Sequence, residues 1–210
     1  MHLLLVDQMT CPRCGPEFGL ILLADKMKER RVLDGQLGCS NCRSQYPLVD
    51  GCGDLRVPFL SDPSEGFLGV SGELPKAMEI AALLGLTGGY GNVGLIGNLS
   101  GGIRDLIEIT TNFEFVGIHH ENDDLSVYTA IDRENGIICG PRLPFRNECF
   151  RGVVVSGREK QDCMMEVVRI LASNGRLAVW ESTLESRDFL LQLGLKILMK
   201  ERGIAVWERS

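Results

Sequence analysis

Asn92-Val93-Gly94-Leu95-Ile96-Gly97-Asn98-Leu99-Ser100-Gly101-Gly102-Ile103 carries an apolar run into a glycine-containing turn and then into a helical pattern. Strand, tight turn and helix N-terminus in that order are how an α/β chain builds a ligand cradle, because backbone N–H groups and the helix dipole converge on one point. The stretch therefore predicts the first strand of a parallel sheet, with its functional edge at Gly97.

Downstream, short apolar runs alternate with helical spacings. Strands are predicted at 93–96, 113–118, 137–139, 152–155 and 177–180, with helices near 103–110, 122–130, 159–172 and 184–193. Such alternation implies a mostly parallel sheet covered on both faces. Met164, Val167, Val168 and Leu171 lie at helical spacing before Asn174-Gly175, and Ser182 with Glu185 reads as a capping box. Two last runs, 195–200 and 204–208, are joined by Glu201-Arg202-Gly203. Three residues suit a hairpin and not a parallel crossover, so the sheet is expected to end antiparallel. The predicted class is α/β: a Rossmann-like, mostly parallel seven-stranded sheet with a C-terminal antiparallel hairpin.

Upstream, Ala77, Ile80, Ala81 and Leu84 define an amphipathic helix entered at Pro75. Residues 61–75 concentrate turn formers and read as a linker, which divides the chain into 1–60, the linker 61–75, and 76–210. The first part carries Cys11-Pro-Arg-Cys14 and Cys39-Ser-Asn-Cys42, two C-x-x-C knuckles with 24 residues between them. Two such knuckles supply the four thiolates of a closed tetrahedral zinc site, whose role is structural because no coordination position stays open. A rival disulfide reading fits the doubled knuckle less well. Phe18 to Ala24 is apolar enough for a strand and Asp34-Gly35 reads as a hairpin turn, so the segment is expected to be a small zinc ribbon. Cys52, Cys139, Cys149 and Cys163 stand alone and form no redox pair.

After the second knuckle comes Tyr46-Pro47-Leu48-Val49-Asp50-Gly51. With the two knuckles, this resembles the small zinc-ribbon family whose eukaryotic members act as activator subunits of RNA and protein methyltransferases. Cys52-Gly53 departs from that family's continuation into a hydrophobic residue and proline. The remainder resembles the class I S-adenosylmethionine-dependent methyltransferases. The resemblance rests on Leu143-Pro144-Phe145 leading to Phe150-Arg151-Gly152-Val153-Val154-Val155-Ser156, and on Val168-Arg169-Ile170-Leu171 followed by Asn174-Gly175-Arg176-Leu177.

That resemblance implies a cofactor site at Gly97 and Gly101 of the turn and at His119, which falls where the family places a ribose-binding carboxylate. Leu95 and Leu99 occupy the positions of the motif's acidic residue and middle glycine, and Cys139 stands where an adenine-facing acid often lies. A neutral imidazole accepts one hydrogen bond, so bidentate ribose recognition is lost at His119. Arg158 and Glu159 read as a charge pair at a helix start.

The chain has 22 basic and 28 acidic side chains, a net charge of −6, and residues 1–60 are neutral with seven of each. Bulk attraction to nucleic acid is not indicated, Arg142, Arg146 and Arg151 being read as scattered surface charges. No apolar run approaches the ~18 residues of a membrane span, and a cytoplasmic location is expected. The expectation is a zinc-binding, methyltransferase-like pseudoenzyme serving as an interaction or regulatory subunit with a protein partner. The changed positions argue against S-adenosylmethionine as a cofactor. The alternative is an active methyltransferase with an atypical cofactor site.

Overall fold

The computed structural model describes residues 1–57, 67–120, 131–140 and 142–210. The linker expected at 61–75 lies partly outside the described residues, and the helix expected at 122–130 lies wholly outside them.

The ribbon begins with a short helix α1 (Leu3–Val6) and holds five strands: β1 (Thr10–Cys11), β2 (Gly15–Lys28), β3 (Arg31–Cys39), β4 (Gln45–Val49) and β5 (Cys52–Asp54). The hairpin between β2 and β3 turns at Glu29 and Arg30, both with positive φ, and not at Asp34-Gly35. Those two residues sit inside β3, beside a register irregularity where a Cβ on Gly35 would meet the Leu23 carbonyl at 2.4 Å. The Asp34 signal has a different use: its carboxylate accepts the Asp50 N–H at 3.2 Å and so ties β3 to the turn after β4.

Helix α2 (Ala77–Leu84) leads into β6 (Gly91–Ile96), a 3-10 turn over Gly97–Gly102 and helix α3 (Ile103–Ile109). There follow β7 (Phe113–His119), β8 (Glu134–Ile138), β9 (Phe150–Ser156), α4 (Gln161–Ile170), β10 (Leu171–Trp180), α5 (Leu184–Gln192), β11 (Lys196–Glu201) and β12 (Ile204–Glu208). Helix α5 is capped by Thr183, whose hydroxyl accepts from Ser186 N while Ser186 answers back to Thr183 N. The box is therefore one residue later than Ser182 and Glu185 suggested. Helix α4 starts at Gln161, so Glu159 is not its first turn but a buried residue before it.

The strands form one mixed sheet in the order β1-β2-β3-β4-β5-β8-β7-β6-β9-β10-β12-β11. Strands β5, β8, β7, β6, β9 and β10 pair in parallel, and β12 and β11 close one end antiparallel. A seven-stranded sheet is thus replaced by a twelve-stranded one, because the ribbon does not end at its own edge. Cys52, Gly53 and Asp54 of β5 lie in register with Gly136, Ile137 and Ile138 of β8.

Packing follows the same continuity. On one face Leu5, Met9, Leu37, Tyr46 and Leu48 of the ribbon share a core with Val153, Val155, Met164, Val167 and Leu190. On the other face Ile80 and Leu84 of α2 and Ile103 and Leu106 of α3 cover Val93, Leu95, Phe115 and Val154. Arg31 stitches ribbon to sheet: its guanidinium reaches both Glu114 oxygens at 2.8 Å, Asp132 at 2.9 Å and Asn135 at 3.4 Å.

Candidate functional site

Two sites emerge, one in the ribbon and one at the carboxyl ends of the parallel strands. In the ribbon, the turn after β1 presents Cys11 and Cys14, and the turn after β3 presents Cys39 and Cys42. All four sulfur atoms lie within 4.8 Å of one another, with Cys11 Sγ 3.6 Å from Cys42 Sγ and Cys39 Sγ 3.8 Å from Cys14 Sγ. A disulfide would require about 2.05 Å, whereas a tetrahedron with Zn–S bonds of about 2.3 Å has edges of about 3.8 Å. The donor set therefore fits a closed zinc site.

Polar groups approach three of the four sulfurs. Tyr46 Oη lies 3.4 Å from Cys11 Sγ, Asn41 Nδ2 donates to Cys14 Sγ at 3.3 Å, and the Ser44 hydroxyl is paired with Cys42 Sγ at 3.2 Å. The Ser44 contact draws the Cys42 thiol down to about 6, while burial pushes the Cys11 thiol up to about 12. A metal ion resolves that opposition by holding both as thiolates. Cys52 is fully buried at the start of β5, its thiol pushed up to about 12 by burial, and Cys149 is likewise raised to about 12. Among the described residues no second group of metal ligands forms.

The second site lies at the point where the strand order reverses, between β6 and β9, where open α/β sheets bind ligands. Gly97 follows β6 with φ +64°, and Gly101 stands in the 3-10 turn with open space where a Cβ would be. His119 ends β7 opposite Ile138, half-buried, and His120 follows it buried. Leu95, Leu99 and Cys139 are buried: the two leucines belong to the core under α2 and α3, and Cys139 to the opposite core. These residues face packing and not the crevice.

The crevice holds a length of the chain itself, Phe67 to Gly72. The Gly69 backbone lies against Gly97, its Cα 3.7 Å from the position of an added Cβ. The Gly69 N–H donates to Glu159 Oε1 at 2.9 Å in a buried contact. Asn98, just beyond β6, grips the Val70 peptide at both ends: its Oδ1 accepts the Val70 N–H at 3.0 Å and its Nδ2 donates to the Val70 carbonyl at 2.8 Å. Glu181, just beyond β10, accepts from Ser71 N and Oγ and from Gly72 N at 2.7 to 3.1 Å. Phe67 meets the His120 ring edge-on at 5.9 Å. The Val70 side chain joins the α2–α3 core, while Phe67 packs against the opposite one.

Two carboxylates thus serve the crevice: Glu159, which the sequence reads as half of a helix-start charge pair, and Glu181, which no sequence motif singled out. Burial pushes the Glu159 carboxyl up from its usual range, and the hydrogen bonds from Ser71 hold Glu181 below it. Both follow the carboxyl end of a parallel strand, and that placement is the signal that could have found them. Arg158 approaches Glu181 at 3.9 Å and does not pair with its sequence neighbour Glu159.

Known structures give the arrangement a context. The MycE methyltransferase of the mycinamycin pathway, solved with magnesium and S-adenosylhomocysteine, matches 66% of this chain and 49% of its own at 12% identity, with a TM-score of 0.50. The fold is methyltransferase-like. A Methanococcus maripaludis protein assigned as an S-adenosyl-L-methionine-dependent methyltransferase matches 64% of this chain and 83% of its own at 16% identity, TM-score 0.47. A chain from the complex between the Haloferax volcanii Trm112 methyltransferase activator and a methyltransferase matches 60% and 70% at 17% identity, TM-score 0.48. No family model matches the sequence, and no curated protein matches it.

The Gly69 backbone lies beside the Gly97 turn, and Asn98, Glu159 and Glu181 at the opening are hydrogen-bonded to residues 69–72.

Proposed function

We propose that this chain is a zinc-bound, methyltransferase-like protein that acts as an interaction or regulatory subunit and not as a methyl-transfer catalyst. The observation that carries this reading is the 67–72 segment seated on Gly97, with Asn98, Glu159 and Glu181 all engaged in holding it. A crevice that a cofactor is to enter needs free polar groups converging on it, and here they are spent within the chain. Leu95 and a half-buried His119 in place of carboxylates, and Leu99 in place of a glycine, point the same way.

On this reading zinc is held by Cys11, Cys14, Cys39 and Cys42, and its contribution is to the folding of residues 1–60. The ribbon resembles the methyltransferase-activator family, and its β5 strand adds to β8 as a separate subunit would by β-augmentation. The chain therefore carries a ribbon of that type in cis, with residues 76–210 as its methyltransferase-like sheet. The partner is a protein, since a net charge of −6 disfavours nucleic acid.

Titration calorimetry of the purified, zinc-loaded chain with S-adenosylhomocysteine is expected to show no binding. Micromolar affinity would overturn the non-catalytic reading in favour of a methyltransferase with an atypical site, for which Glu159 and Glu181 at the strand ends are the supporting observation.

A further inference from the structure

The 67–72 segment is held by contacts that a bound ligand would use. Four successive residues offer their main chain to side chains at the carboxyl ends of three strands: Gly69 to Glu159, Val70 to Asn98, and Ser71 and Gly72 to Glu181. Asn98 accepts from the N–H and donates to the carbonyl of one residue, Val70, a two-point grip. Phe67 packs against one core and Val70 joins the other, so the segment straddles the top of the sheet. Its outer side is open to solvent: Leu68 is half exposed and Ser71 lies at the surface. Its own geometry is demanding, since Gly69 has φ +62° and an added Cβ would stand 2.7 Å from Asn98 Oδ1.

We infer that Phe67–Gly72 is an autoinhibitory strap, an internal occupant of the ligand crevice whose departure opens a binding site for an adenosyl amino acid. The inference rests on the methyltransferase-like reading of the fold and goes beyond it, assigning the closure to the strap and not to the changed residues of the turn. Release leaves two carboxylates and the Asn98 amide aimed into a crevice beside Gly97, with Arg158 at the rim. That set suits a ligand carrying an ammonium group and hydroxyl or N–H donors.

The test uses the full, zinc-loaded chain with S-adenosylhomocysteine as probe, reading affinity by calorimetry and strap position by amide exchange at Val70, Ser71 and Gly72. Two variants change the strap without touching the crevice wall. Ser71→Ala removes one bond to Glu181, and Ser71→Pro removes the Ser71 N–H as well, exchange then being read at Val70 and Gly72. Undetectable wild-type binding with at least tenfold tighter binding in a folded variant supports the strap and leaves the non-catalytic reading of the closed chain intact. No binding by a variant whose strap amides exchange freely overturns the strap while the non-catalytic reading stands. Wild-type binding accompanied by faster exchange of the strap amides supports the strap and overturns that reading. Wild-type binding with those amides unchanged overturns both. If only the Ser71→Ala variant folds, it is read by the same criteria.

Discussion

Leu95 and Leu99 stand at the two positions where the methyltransferase motif has an acid and a glycine, and both are committed to packing. Leu95 is fully buried beside Val93 in the core covered by α2 and α3, and Leu99 is 2% exposed in the same cluster. Restoring the motif's acid is therefore expected to damage the fold and not to create a ligand site. A Leu95→Asp change would bury a carboxylate with no donor and empty the leucine's volume, at a cost on the order of 4 kcal/mol. Urea unfolding measures it; a variant as stable as the wild type would show that this position is not a core position. The buried leucines explain why the turn reads as a cradle in sequence: the glycines at 97 and 101 keep the pattern, while the polar groups that would mark a working site are replaced by core.

At the scale of elements, the strap depends on two carboxylates that respond to pH in opposite directions. Glu181 is held below its usual value by its bonds to Ser71, so its contribution is present above about pH 4.5 and is lost as pH falls through its lowered value. Glu159 is raised by burial, so its contribution is complete below the usual value and is lost as pH rises through the raised one. At pH 7, Glu181→Gln is expected to lower the melting temperature by a few degrees, while Glu159→Gln leaves it unchanged or raises it. The gap between wild type and Glu181→Gln should close as the melts are taken below about pH 4.5; a gap constant with pH would sink the assignment. The β6–β12 strands were legible in sequence because their apolar runs are short and regularly spaced, and the four cysteines because C-x-x-C spacing is nearly unambiguous. The strap was not. Gly69-Val70-Ser71-Gly72 reads as linker because its bonds come from the backbone, and their acceptors lie 90 and 110 residues away at Glu159 and Glu181. The Asp34-Gly35 signal misled for a related reason, since a local turn preference yielded to a long strand that turned instead at Glu29-Arg30.

For the whole molecule, the β5–β8 pairing is expected to couple the stability of the ribbon to that of the sheet. Metal analysis is expected to give about one zinc ion per chain. Removing it with a chelator should unfold the ribbon and, through the β5–β8 pairing, raise amide exchange in Glu134–Ile138 of the sheet. Faster exchange confined to residues 1–57 would show instead that the two parts are energetically separate. The Arg31 contacts sharpen this coupling. Arg31 is 83 residues from Glu114 and 101 from Asp132, so its contacts close far longer loops than the 24 residues between the two knuckles. The metal knuckles can therefore close early, whereas the seam they belong to waits for β7 and β8 to be made. Long loops must be closed before such contacts repay them. Refolding from denaturant should consequently show metal capture before the slow step, with the Arg31 seam setting the pace at which a zinc-bearing but undocked ribbon becomes part of the sheet.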